Sequence, residues 1–235
     1  METGELSRPM VVAIDGPSGS GKSSVSRGVA SALGLAYLDT GAMYRAATWW
    51  CLHQGIPLTD TAAVAAQVRV LPLVMGTDPA GPTVHVGGID VGEAIRETAI
   101  SSAVSAVATN LEVRAELGRL QRATIDEARA RAGIVAEGRD ITTVVAPDAD
   151  VRVLLTASEE ARLSRRARDV HGSDDAAAVE ATRDQVLRRD ADDSTVVQFH
   201  EAADGVVTVD SSHLDLDQTV RAVLDVVESV VGPRS

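Results

Sequence analysis

Residues 16–23 read Gly16-Pro17-Ser18-Gly19-Ser20-Gly21-Lys22-Ser23 and complete the spacing G-x-x-x-x-G-K-[ST]. The glycines let backbone N–H groups turn inward with no Cβ in the way. They form a nest for the β- and γ-phosphates of a nucleoside triphosphate, and a helix starting behind the loop adds its positive N-terminus. Lys22 can bridge the phosphates and Ser23 can offer its hydroxyl directly to Mg2+. These residues and Ser24 form the expected ATP site. Lys22 is also the sole lysine among 22 basic residues. A GC-rich genome accounts for the arginine bias elsewhere; at residue 22 a compact ammonium on a flexible stem is the usual phosphate ligand.

A second set of residues could hold another phosphate. Asp39-Thr40-Gly41-Ala42-Met43-Tyr44-Arg45 follows a short apolar run and opens a helix. Strand ends in open α/β sheets point into the ligand crevice. Thr40 and Arg45 could grip a monophosphate there, or Thr40 could be a helix cap and Arg45 a surface charge. Glu137-Gly138-Arg139-Asp140 sits at another strand end. There Arg139 can reach phosphate bidentately, Asp140 can accept from an exocyclic amine, and Glu137 could hold Mg2+ through water. Arg162, Arg165, Arg166 and Arg168 lie on one helix, and Arg183, Arg188 and Arg189 on the helix that returns. This reads as a lid closing over a transferring phosphate and excluding water, with Arg162, Arg166 and Arg189 toward the cleft. The alternative is a solvated face balanced by Glu159, Glu160, Asp169 and Glu180. The five histidines and Cys51 form no metal-ligand pattern.

The elements that must position these groups alternate. Apolar runs at 10–14, 35–38, 133–136, 151–155 and 206–209 read as strands. Helical spacing covers 22–33, 42–53, 60–70, 101–109, 111–131, 158–170, 176–192 and 216–231. Strands alternating with helices predict an α/β fold, a parallel sheet with helices on both faces. Between them, 71–75, 83–86 and 89–91 are β-like and separated by Gly/Pro turns, a small antiparallel insert. The expected division is one kinase unit: a core of 9–66, 98–157 and 194–235, a monophosphate-side insert at 67–97, and a helical lid at 158–193.

At 235 residues and 45% hydrophobic, the chain can bury a sizeable core, but its net charge of −12 argues against nucleic acid polymers and anionic membranes as partners. One cysteine permits no internal disulfide, and the first ten residues lack an apolar leader core. A cytoplasmic monomer is expected. A GTPase would need N-K-x-D to read guanine, and no second lysine exists to supply it. A motor would ordinarily be longer. What remains is a kinase of a small phosphorylated acceptor, or a non-catalytic nucleotide sensor.

Taken together, these segments resemble the bacterial cytidylate kinases of the nucleoside monophosphate kinase group. The resemblance is carried by residues 14–24, by Leu38-Asp39-Thr40-Gly41-Ala42-Met43-Tyr44-Arg45, by Glu137-Gly138-Arg139-Asp140, by Pro147-Asp148-Ala149, and by Arg188-Arg189-Asp190 with Asp193-Ser194-Thr195. It implies phosphoryl transfer from Mg2+·ATP to CMP or dCMP. It implies that Thr40, Arg45 and Arg139 meet the acceptor phosphate, with Tyr44 in the same site. Ser105, Arg114 and Asp140 would read cytosine, and Arg189 and Asp193 would meet the ribose and phosphate. Lys22, Arg139, Arg162 and Arg166 would neutralise the transferring group. The chain departs from the family at Val196, where an arginine is usual, at Thr142 in place of Gly, at Ala146 in place of Phe, and at Asp150 in place of Pro. The missing arginine predicts slower turnover unless another lid arginine takes its place.

Overall fold

The structure, a computed structural model, describes residues 9–232. The leader reading of residues 1–8 and the last residues of the expected core, 233–235, lie outside it. Strand β1 (Met10–Asp15) feeds the glycine loop and helix α1 (Lys22–Leu33). Strand β2 (Ala36–Asp39) leads directly into α2 (Thr40–His53), followed by α3 (Thr61–Arg69). Strands β3 (Leu73–Met75), β4 (Val84–Val86) and β5 (Ile89–Asp90) form the insert, an antiparallel three-stranded sheet. Helices α4 (Thr98–Ala108) and α5 (Leu111–Arg129) return the chain to β6 (Gly133–Gly138). A π-helical turn, Ile141–Val145, precedes β7 (Val151–Thr156). Helices α6 (Glu159–His171) and α7 (Ala176–Ser194) form a hairpin before β8 (Val207–Asp210) and α8 (Leu216–Val231). No helix among the described residues is long and apolar enough to cross a membrane.

The main sheet has the order β2-β6-β1-β7-β8, and every pairing is parallel. The central strand β1 is buried along its whole length, which is why it reads as a continuous apolar run rather than an alternating one. Its side chains nevertheless alternate between faces. Met10, Val12 and Ile14 join the core under α1 and α8, while Val11 and Ala13 pack with Met43, Ile125 and Ile141 on the other side. A third cluster unites α2, α3, the insert and α4 through Ala46, Val64, Val86 and Val107.

Two differences from the sequence reading have local causes. Helix α2 begins at Thr40 rather than 42, because Asp39, not Thr40, is its cap and accepts from Ala42 N at 2.8 Å. The π-helical turn carried no sequence signal. Its first N–H groups are drawn toward β1 by the buried Asp15, which accepts from Ile141 N at 2.9 Å and from Thr142 N at 2.8 Å.

Candidate active site

The glycine loop is shaped by helix α6 as well as by its own sequence. Gly21 caps α1 with φ 87°, so the helix starts at Lys22 with its free N–H groups facing the loop. Gly19 also has a left-handed φ, and a Cβ there would lie 2.5 Å from the Arg162 carbonyl oxygen. Helix α6 therefore lies directly against the loop tip. Lys22 Nζ donates to Pro17 O at 2.7 Å.

Beside the loop lies a polar cavity of about 190 Å³ that brings together Lys22, Arg45, Arg139, Arg166 and Arg189 from five parts of the chain. So many cations in one place depress one another. Burial and then Arg139 lower Lys22 to about 8. Burial, with Arg139 and Arg45, lowers Arg189 to about 10. Burial also lowers Arg166. The buried Nε of Arg189 has no hydrogen-bond partner, its nearest carboxylate, Asp193, being 3.9 Å away. A cavity in which the charged forms are penalised this way is relieved by an anion.

The same cavity holds oxygen donors for a cation. Ser23, Asp39 and Glu137 line it. Tyr37 Oη donates to Glu137 Oε1 at 2.7 Å. Burial, then the neighbouring Asp39, pushes the Glu137 carboxyl up, as expected of a carboxylate lacking a full counter-charge. This all-oxygen set fits Mg2+. No cluster of three or more His, Cys, Asp or Glu able to hold a metal occurs among the described residues.

A narrower recess of about 50 Å³ adjoins the cleft and is lined by Tyr44, Arg114, Asp140, Arg189 and Asp193. Arg114 forms an ion pair with Asp140, donates to Ala108 O at 3.1 Å and lies 5.9 Å from the Tyr44 ring centroid. Thr40 reaches this recess, and its hydroxyl donates to Glu137 O at 2.7 Å. Ser105 does not line it; the neighbouring Val104 and Ala108 do.

The arginines of α6 and α7 divide. Arg166 and Arg189 line the polar cavity. Arg162 does not: the sequence reading aims it at the cleft, but it is buried beneath the loop tip, paired with Asp190 and donating to Ser18 O at 3.0 Å. Arg168 and Arg183 pair on the surface with Asp174, Glu159 and Glu180, so for them the solvated-face reading holds. Arg45 is no surface charge; its side chain is 16% exposed and bonds Asp39 at 2.9 Å.

Several residues at the site were not singled out from the sequence. Arg165 donates to Ser20 O at 3.2 Å and to Ser211 Oγ at 2.9 Å. With Leu214 and Leu216 it lines a cavity of about 320 Å³ beside the loop, and its Nη2 donates to Leu214 O at 3.2 Å. Phe199, the only phenylalanine, is fully buried and lies under the Arg139 guanidinium. Asp190 accepts from three donors on three elements. A lone Phe and an acid one helical turn before Asp193 were the available signals. The departures also acquire contacts: Thr142 Oγ1 donates to Asp15 at 2.6 Å, and Asp150 accepts from Val11 N at 2.8 Å.

A family model described as cytidylate kinase matches residues 12–229. A protein named cytidylate kinase from Streptomyces avermitilis is 49% identical over 220 residues, 93% of each chain. One of the same name from Nocardia farcinica is 50% identical over 233 residues, 97% of each chain. Another, from Rhodococcus jostii, is 51% identical over 227 residues, 95% of this chain and 96% of its own. With a family match spanning nearly its whole length, this chain belongs to the cytidylate kinase family.

Proposed function

We propose that this kinase transfers the γ-phosphoryl group of ATP to CMP or dCMP, with the donor on the glycine loop and the acceptor between Arg45, Arg139 and the Arg114–Asp140 pair. The observation that carries the site assignment is the cavity in which Lys22 meets Arg45, Arg139, Arg166 and Arg189. A lysine on a phosphate loop facing several arginines from other elements is what two phosphates meeting head-on require.

Loop N–H groups and Lys22 hold the donor phosphates. The cavity lined by Arg165 and the Leu214–Leu216 segment suits the donor base. Ser23 would hold Mg2+ directly and Glu137 through water, and the ion, carried with ATP, would supply charge neutralisation of the donor phosphates. Arg45, Arg139 and Thr40 orient the acceptor phosphate so that its oxygen attacks in line. No side-chain nucleophile is needed, because positioning and electrostatics supply the catalysis. Arg166 and Arg189 complete the cation set, in a chain with Val196 where the family resemblance leads one to expect an arginine. Arg114 donates to N3 and O2 of cytosine, and Asp140 accepts from its 4-amino group, with Ser105 moving in as the recess opens. The recess is far smaller than a nucleotide, so acceptor binding parts the helices around it. The insert at 67–97 and the lid at 158–193 act as the moving parts of a monomeric, cytoplasmic enzyme.

A coupled assay offering CMP, dCMP, UMP and AMP tests this. CMP and dCMP turn over fastest; faster turnover of AMP or UMP would overturn the base-reading assignment.

A further inference from the structure

Asp190 on α7 touches both halves of the cleft. Its Oδ1 accepts from the backbone N–H of Ser18 at 3.1 Å and from Arg139 Nη1 at 2.8 Å. Its Oδ2 accepts from Arg162 Nη1, and that same nitrogen donates to the Ser18 carbonyl at 3.0 Å. Both backbone groups of Ser18, at the tip of the triphosphate loop, are therefore held by the lid: the N–H by Asp190 and the C=O by Arg162. The third donor, Arg139, belongs to the acceptor side. Burial alone would raise the Asp190 carboxyl, but Arg139, the Ser18 N–H and Arg162 hold it below the ordinary carboxylate range. It is thus a charged acceptor with one oxygen shared between the two sites.

We propose that Asp190 is a positioning residue that couples the acceptor site to the triphosphate loop, so that occupancy of either changes the affinity of the other. This rests on the assignment of donor and acceptor sites given above. The physical reason is that a buried carboxylate is costly to leave without its donors. When an acceptor phosphate draws the Arg139 guanidinium, Asp190 follows, and the Ser18 backbone follows Asp190. When a triphosphate sets the loop, the same links set Arg139. A coupling of this kind is reciprocal by thermodynamic necessity. Asparagine cannot replace the carboxylate: it has a single acceptor oxygen for three donors, and its NH2 would face one of them.

Calorimetry tests the proposal. The affinities of CMP and of a non-hydrolysable ATP analogue are measured alone and each in the presence of the other, for the unaltered protein and for Asp190→Asn. In the unaltered protein each ligand changes the other's affinity by about fivefold or more. In Asp190→Asn both ligands still bind, but that factor falls to within about twofold of unity. A variant that weakens both affinities alike yet keeps the factor would show a merely structural role and overturn the proposal. An unaltered protein that binds both ligands without coupling overturns it alone; one that fails to bind either ligand overturns the site assignment with it. If Asp190→Asn does not fold, Arg162→Gln removes the donor shared by the Ser18 carbonyl and Asp190 Oδ2, leaves the Asp190 bonds to Ser18 N–H and Arg139, and is expected to lower the same factor. An unchanged factor there is equally decisive against it.

Discussion

The guanidinium carbon of Arg139 lies 4.4 Å from the centroid of the Phe199 ring. Its Nε reaches Asp193 at 2.6 Å and its Nη1 reaches Asp190 at 2.8 Å. One face and two nitrogens are thus committed, which leaves Nη2 for an incoming anion. Phe199→Leu keeps the site apolar but removes the π face. A buried cation–π contact contributes about 2 kcal/mol, so kcat/KM for CMP should fall about tenfold to thirtyfold, while the affinity for the ATP analogue alone stays within about twofold. Equal losses for both ligands would mean that Phe199 serves only the core.

Tyr37 orients Glu137 through a buried hydrogen bond of 2.7 Å. Tyr37→Phe removes only that donor. Partners of this kind around a metal site typically alter metal affinity or activity by about tenfold to a hundredfold. The variant should therefore need a correspondingly higher Mg2+ concentration for half-maximal rate, with melting temperature nearly unchanged. A normal Mg2+ dependence would remove Glu137 from the cation site.

Asp140, paired with Arg114, is proposed to accept from the 4-amino group of cytosine. Asp140→Asn can instead donate to the 4-carbonyl of uracil. Its kcat/KM ratio of CMP over UMP should fall by about a hundredfold or more, since a site built around a hydrogen-bonding group discriminates strongly. Steady-state kinetics on both acceptors decides it, and an unchanged ratio would refute the role.

Lys22 is lowered to about 8 by burial and by Arg139. The triphosphate requires its charged form, so ATP affinity should be flat up to about pH 7 and fall toward about tenfold per unit above about pH 8. Titration with a fluorescent ATP analogue across this range reads it. Lys22→Ala should abolish turnover with an unaltered circular dichroism spectrum.

Asp15 is pushed up to about 6 by burial, against hydrogen bonds from Thr142 and Ile141. Because the folded chain holds this proton more tightly, the stabilisation it contributes is complete below about pH 4 and is lost as pH rises through about 6. Thr142→Val removes the hydroxyl donor, which favours the charged form. The resulting loss of about 1–3 kcal/mol should be larger at about pH 7.5 than at about pH 4.5 in chemical denaturation. An equal loss at both would mean that the hydroxyl does not tune Asp15.

The loop, the parallel sheet and the insert were readable because each leaves a local mark: glycine spacing, continuous apolar runs such as residues 10–14, and turn residues between short β segments. The approximate extent of α1 was readable because Gly34 stops it. What stayed hidden depended on contacts across long stretches of chain. Asp15 meets Thr142 and Asp190 meets Ser18 only after folding. Arg162 and Arg166 look alike on one helix, and a single turn decides that one is buried under the loop while the other faces the cavity.

The half-buried Lys22, with its depressed basicity, is also the sole side-chain amine of the protein. Lysine labelled with 15N would therefore contribute a single ammonium resonance, assigned without any mutagenesis. Its shift would follow donor binding and, through Arg139, acceptor binding as well, making Lys22 its own spectroscopic probe.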